Sequence, residues 1–197
     1  MNRERFEKQL SFILEADKEK NILRQTHLTG YGRRENDAEH AWHMAMMIYL
    51  LKEYANEAID VAKAMMMALI HDIVEIDAGD TYAYDTKGLE TQKEREQRAA
   101  ERIFGMLPAD QCHEFRALFE EFESSESPEA RFARAMDNFQ PLLLNHANGG
   151  MDWRTHKVTK TKVVGRQNTT ALGSEIIWKY TEEIINENVD KGNIKNA

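Results

Sequence analysis

With 197 residues and a net charge of −8, the chain fits one domain long enough to bury a substantial core. The acidic balance argues against a nucleic-acid polymer as partner, because phosphate backbones are held by an excess of Lys and Arg. No apolar run approaches the roughly 20 residues of a membrane span, the first residues lack the apolar core of a secretory signal, and the single cysteine, Cys112, excludes an internal disulfide and agrees with a cytoplasmic location.

Three prolines and ten glycines interrupt the sequence, and clear period-two alternation is hard to find, so an all-α, single-domain helical bundle is expected. Phe6, Leu10, Ile13 and Leu14 mark a first helix by their spacing. A second begins near Asp37, a candidate N-cap, and carries Ala41, Met44, Ala45, Ile48 and Leu51. A third is expected over about 57–73 and a loop over 75–88. Helices then follow over about 90–106 and 110–123, separated by Leu107-Pro108. Pro128 opens the next helix, as proline does in a first turn. Gly149-Gly150 breaks the chain, and a last helix over about 167–188 leaves a polar tail over 189–197. The Met-rich segments, such as Met65-Met66-Met67, read as core filling rather than soft-metal sites.

Chemistry concentrates in four side chains. His71 and Asp72 end an apolar helical stretch, His40 lies 31 residues upstream, and Asp137 lies 65 residues beyond Asp72 in a second apolar run. An unpaired carboxylate at such a place is costly, and a metal removes the cost; for Asp137 a salt bridge to Arg134 or Arg131 is the competing reading. Two imidazoles and two carboxylates suit one divalent ion, with Mn, Co, Fe or Zn ahead of Mg. Four protein ligands leave positions open for water and substrate, as hydrolysis requires.

The order His40, His71-Asp72, Asp137, all in helical contexts, resembles the HD-domain superfamily of metal-dependent phosphohydrolases. The strings Arg33-Arg34-Glu35-Asn36-Asp37-Ala38-Glu39-His40 and His71-Asp72-Ile73-Val74-Glu75-Ile76-Asp77-Ala78-Gly79-Asp80 are similar to the 5'-deoxynucleotidase branch. The likeness covers roughly residues 5–145, with an HD core over about 30–145 of a single domain spanning 1–197. It implies an HD-type bundle, a small-molecule nucleotide substrate and a homodimer.

Glu75 follows Asp72 by three residues and His71 by four, so one further helical turn puts all three on one face. A carboxylate there can take the proton of an attacking water and return it to the leaving oxygen, which is also the role the branch implies. Asp80, after Gly79, matches an acid that the branch places near the sugar or the water, against a plain Gly-Asp turn. Arg33 is a candidate phosphate ligand from the Arg-x-Glu-Asn string, with Arg24 as a second. Arg24 is followed by Gln25 and Thr26, where the bacterial enzymes carry tryptophan. His43 lies one turn after His40 and is either a supporting partner or a surface residue. The basic stretch Lys157–Arg166, with four Lys or Arg, could close over a phosphate, but a solvated loop is favoured. The leading expectation is hydrolysis of a nucleoside or deoxynucleoside 5'-monophosphate. The alternatives are another HD-type hydrolase, acting on a pyrophosphate or cyclic phosphodiester, and a non-catalytic nucleotide-binding module.

Overall fold

Asn2 caps helix α1 (Arg3–Ala16), and a 3-10 turn (Asp17–Asn21) leads from it into a hairpin of β1 (Leu23–His27) and β2 (Arg34–Asn36) in the computed structural model, which describes residues 2–79 and 86–196. The antiparallel hairpin is a local departure from the expected all-α chain, too short and too evenly half-buried to announce itself by alternation. Its loop turns at Gly30, where φ is +83°, and docks on the residue after the central helix: Asn148 donates to the carbonyls of His27 and Leu28 and accepts from Gly30 N–H.

The first helix is where the sequence predicts it, but its face is different. Phe12 is the buried apolar residue, while Phe6, Leu10, Ile13 and Leu14 are 43–72% exposed. Phe12 meets the Phe115 ring edge-on, and on the same side Arg5 pairs with Asp110 and Gln9 donates to Gln111. Spacing announces a helix without saying which side the rest of the chain will cover.

Helix α2 (Asp37–Leu51) starts one residue earlier than a cap at Asp37 would give. Asn36 is the cap, accepting from Glu39 N–H while Glu39 accepts from Asn36 N–H, a reciprocal capping box. With that start, His40, Ala41, Met44, Ala45 and Ile48 face inward, Met44 and Ile48 packing with α3 (Val61–Ile70) and the central helix α7 (Pro128–Ala147). Burying Met44 and Ile48, both 0% exposed, contributes about 1.5–3 kcal/mol each.

Asp60 caps α3 and starts it later than the expected 57; the helix ends at Ile70. A turn then leads into α4 (Glu75–Ala78), a short helix where a loop is expected. The His71-Asp72 step joins two apolar clusters: Met67 and Ala68 pack with α2 and α7, whereas Ile73 and Val74 pack with Phe12, α5 (Thr86–Phe104) and α6 (Ala109–Ser124). Ser127 caps α7, and Pro128 occupies its first turn as expected.

Beyond α7 come α8 (Met151–Thr155), α9 (Lys160–Gln167), α10 (Thr170–Gly173) and α11 (Glu175–Asp190). The single last helix expected over 167–188 is therefore broken. Gly173 causes part of the break: a Cβ there would lie 2.2 Å from the Arg131 carbonyl oxygen, so only glycine permits this approach to α7. Ser174 then caps α11 by accepting from Ile177 N–H. The expected polar tail is docked, with Ile194 buried and Lys195 N–H donating to the Val158 carbonyl. The basic stretch is likewise no loop, since most of it forms α9. Among the described residues, no helix is long and apolar enough to cross a membrane.

Candidate metal centre and cavity

Three segments bring the four predicted ligands together. His40 comes from the first turns of α2, His71 and Asp72 from the end of α3, and Asp137 from the middle of α7. His40, His71 and Asp72 offer donor atoms all within 4.8 Å of one another. Asp137 stands outside that mutual set, yet its Oδ1 is 3.2 Å from His40 Nε2 and 3.9 Å from His71 Nε2. Asp72 Oδ2 lies 3.1 Å from His71 Nε2 and 4.0 Å from His40 Nε2.

The rings are held in the tautomer a metal requires. His71 Nδ1 donates to the Ala68 carbonyl at 2.8 Å, and His40 Nδ1 donates to Gln140 Oε1 at 3.0 Å, so in each neutral ring Nε2 carries the lone pair. Gln140 is itself oriented, donating to Glu35 Oε2 at 2.8 Å and to His43 Nδ1 at 3.1 Å. His43 is therefore a supporting partner of the centre through Gln140. Burial lowers its pKa and favours the neutral, accepting ring.

Two lone pairs facing two carboxylates call for a cation, and His71 Nε2 is a buried atom with no hydrogen-bond partner. Burial opposes protonation of His71, but Asp72 and then Asp137 outweigh it and lift its pKa to about 9. His40 moves the other way, to about 4, through burial and the charge of Arg24. Burial would raise both ligand carboxylates, yet both are held below the ordinary range, Asp72 chiefly by His71 and Arg24, and Asp137 chiefly by Arg166 and His40. A proton and a divalent ion compete for the same nitrogen, and this donor set fits the ion.

A cavity of about 330 Å³ opens beside the centre, at the low end of the range for small-molecule sites. His71, Asp72, Asp137 and Glu75 line it together. Glu75 reaches it although α3 ends before it: the turn is held by Glu75 N–H donating to the Asp72 carbonyl at 2.8 Å, which keeps its carboxylate near its predicted neighbours. Arg24, Gln25 and Thr26 of β1 also line the cavity. Arg24 Nη1 donates to Asp72 Oδ2 at 2.6 Å and to Asp37 Oδ1 at 3.3 Å. Arg33 lies elsewhere: 60% exposed and outside the lining, its guanidinium makes two bonds to Glu39, the residue the capping box sets beside it. Its predicted contact with phosphate is corrected accordingly. Asp80 falls outside the described residues.

Further side chains complete the walls. Arg134 Nη1 and Arg166 Nη2 both donate to Asp137 Oδ2, at 3.3 and 3.1 Å, and Trp153 and His156 also face the cavity. The pairing of Arg134 with Asp137 is the salt bridge expected one turn before it, while Arg131 pairs with Glu57 instead. Arg166 had only the signal of its basic stretch, and Gln140, a neutral amide one turn after Asp137, had none.

Comparison with known proteins agrees with this geometry. The family model described as HD domain matches residues 16–178. The 5'-deoxynucleotidase HDDC2 of Homo sapiens is 31% identical over 111 residues, covering 56% of this chain and 53% of that protein. The 5'-deoxynucleotidase hdd1 of Schizosaccharomyces pombe is 28% identical over 117 residues, covering 57% and 58%. The chain thus spans about half the length of the curated relatives it matches. The crystal structure of a predicted metal-dependent phosphohydrolase from Magnetospirillum magnetotacticum MS-1 is 48% identical, with a TM-score of 0.92 over 96% of this chain and 95% of that one. An HD-domain phosphohydrolase from Listeria innocua, 18% identical, shares the fold with a TM-score of 0.59 over 92% of this chain and 85% of that one.

Proposed function

This chain belongs to the HD-domain family, and from that premise we propose that it is a divalent-metal-dependent phosphohydrolase acting on nucleoside 5'-monophosphates, deoxynucleotides foremost. The observation that carries the reading is the meeting of four donor side chains from α2, the end of α3 and α7, three of which, His71, Asp72 and Asp137, line a cavity that also holds Glu75 and arginine. The names of the curated relatives support the monophosphate substrate.

His40, His71, Asp72 and Asp137 would hold the ion, with Mn, Co, Fe or Zn ahead of Mg for this mixed set. The ion would supply charge neutralisation at the phosphoryl oxygens and a lowered pKa for water. Glu75 takes one proton from the water that attacks phosphorus and returns it to the 5'-oxygen as the bond from phosphorus to that oxygen breaks, leaving nucleoside and inorganic phosphate. The phosphate dianion calls for a cationic partner besides the ion, and Arg24 stands in the cavity wall.

A second copy of the chain is the expected partner. Trp42, Met46, Tyr49 and Leu50 on α2 repeat the spacing of the α1 stripe and are 41–62% exposed, an apolar helix face of the kind that self-association covers. Light scattering at the monomer mass would remove this part of the proposal. For the reaction, metal analysis of the purified protein followed by a phosphate-release screen is decisive. Bound transition metal and phosphate from 5'-monophosphates are expected. Release of pyrophosphate, or turnover of cyclic diesters alone, would overturn the substrate assignment, and no turnover with any of them would overturn the enzyme.

A further inference from the structure

We propose that Asn145, about two turns of α7 beyond Asp137, recognises the nucleobase of the substrate by accepting a hydrogen bond from an N–H on the edge of the base; the inference rests on the phosphohydrolase reading above and deepens it at the end of the cavity away from the ion. Asn145 lines the cavity and is 8% exposed. Its Nδ2 donates to the Pro141 carbonyl at 2.8 Å, and a carbonyl can only accept, so the amide is fixed with its nitrogen toward Pro141 and Oδ1 on the other side. That Oδ1 is buried and has no hydrogen-bond partner among the described residues. A buried acceptor left unmet is costly, and at a cavity wall a ligand that carries a donor removes the cost.

The two ends of the cavity differ in chemistry. From Asp137 toward the start of α7 the lining is charged, with Arg134, Glu96 and Glu123, and Glu123 accepts from Arg134 at 2.7 Å. Toward the end of α7 the lining carries Leu142, Trp153 and Val163 beside Asn145, all three apolar side chains being buried. Asp152, also at this end, holds His27 of β1 through both oxygens, at 2.8 Å to the ring and 3.3 Å to the backbone N–H. A flat, uncharged base is favoured by apolar walls with a few placed polar groups, and the second end supplies them.

Asp137 and Asn145 lie on one continuous helix, and a rise of about 1.5 Å per residue sets them about 12 Å apart along its axis. With the phosphoryl group at the ion, that separation is comparable with the reach of an extended nucleotide from phosphorus to the outer edge of its base. Each common base offers an N–H on that edge, from an exocyclic amino or a ring imino group, so one acceptor can hold any of them while a bare sugar phosphate gains nothing from it. The backbone beneath Asn145 is tied down, its carbonyl accepting from Gly150 N–H at 2.8 Å, so little conformational freedom is lost when the base arrives.

The test is calorimetric titration into the manganese-loaded full chain carrying Glu75→Ala, so that binding is read apart from turnover. The ligands are 2'-deoxyadenosine 5'-monophosphate, its counterpart lacking the 6-amino group, and 2-deoxyribose 5-phosphate. The adenine nucleotide should bind about 3- to 10-fold more tightly than the counterpart, the scale of one neutral hydrogen bond. Adding Asn145→Leu, or Asn145→Ser, whose hydroxyl can still donate to the Pro141 carbonyl, should bring it to the counterpart's level and leave the affinities for 2-deoxyribose 5-phosphate and manganese unchanged. Equal binding of the adenine nucleotide and its counterpart before the Asn145 change overturns the assignment, as does a preference that survives both substitutions or a chain that binds no monophosphate. A loss shared by 2-deoxyribose 5-phosphate also overturns it, because a merely disturbed wall behaves that way. Phosphate release is followed in the wild type alongside: discrimination through Asn145 without release from any monophosphate leaves the assignment standing and removes the hydrolase reading, and release without discrimination does the reverse.

Discussion

Asp72 and Asp137 each present one oxygen to the histidines of the centre, and each is met by arginine, but their surroundings differ. On the Asp72 flank, Arg24 is enclosed with Asp72, Asp37 and Glu35, all of them buried or nearly so. On the Asp137 flank, Arg134 and Arg166 share one carboxylate oxygen at the cavity wall, and Arg166 keeps a third of its side chain open. Burying several charges together is tolerable only when they neutralise one another, so the Arg24 cluster holds a ligand in place. The Asp137 flank is less enclosed and retains donor capacity.

The sharpest probe between the flanks is Glu75, which lies in the turn following Asp72 and lines the shared cavity. Glu75→Ala should keep the bound metal yet lower kcat by about 10²–10⁴-fold, the usual scale for a lost general acid-base. Metal analysis with steady-state kinetics checks this, and full turnover would remove Glu75 from the mechanism. Next in size is a paired substitution. Arg24→Met leaves buried carboxylates without their counter-charge and should cost about 3–5 kcal/mol in urea unfolding, whereas Arg166→Met, at a partly exposed ion pair, should stay within about 1 kcal/mol. Equal costs would erase the distinction drawn between the flanks.

Gln140 tests the shared support of His40. Gln140→Leu removes the acceptor that fixes the ring's tautomer and should weaken metal binding by about 10- to 100-fold, as read by competition with a chromogenic chelator; unaltered affinity would show that packing alone orients the ring. The smallest effect concerns Glu19 on the Asp72 flank, whose pKa burial and then Asp72 push from 4.5 up to about 8, with Asp37 adding to the rise and His71 and Arg24 opposing it. The fold favours its protonated form, so stability falls as pH rises from 4.5 toward 8 and the full penalty persists above that. In chelator-treated protein, Glu19→Gln should raise the melting temperature at pH 9 and leave it nearly unchanged at pH 4. A rise of the same size at both pH values would mean that the effect is not electrostatic.

The centre was far more legible than its walls, and particular residues show why. His40, His71, Asp72 and Asp137 are residue types whose ligand chemistry is visible one at a time, and the adjacency of His71 and Asp72 supplies half the set without any tertiary information. Arg33 stood ahead of Arg24 as a phosphate ligand in the sequence, and only the structure reverses that order, since the capping box commits Arg33 to Glu39 at the surface. The α1 stripe shows the same gap on a larger scale: its period specifies a helix, while contacts with α6 bury Phe12 and turn Arg5 and Gln9 toward that helix.

By itself, the sequence determined what is local: the helical class, Pro128 at the start of α7, the break after α7, and the identity of atoms able to hold a divalent ion. Tertiary structure decided what depends on distance through space, because hydrogen bonds and charge pairs act over a few ångströms regardless of chain separation. It closed a small hairpin, divided the last helix where Gly173 meets α7, docked the tail through Ile194, and brought Arg166 to Asp137 across 29 residues of chain.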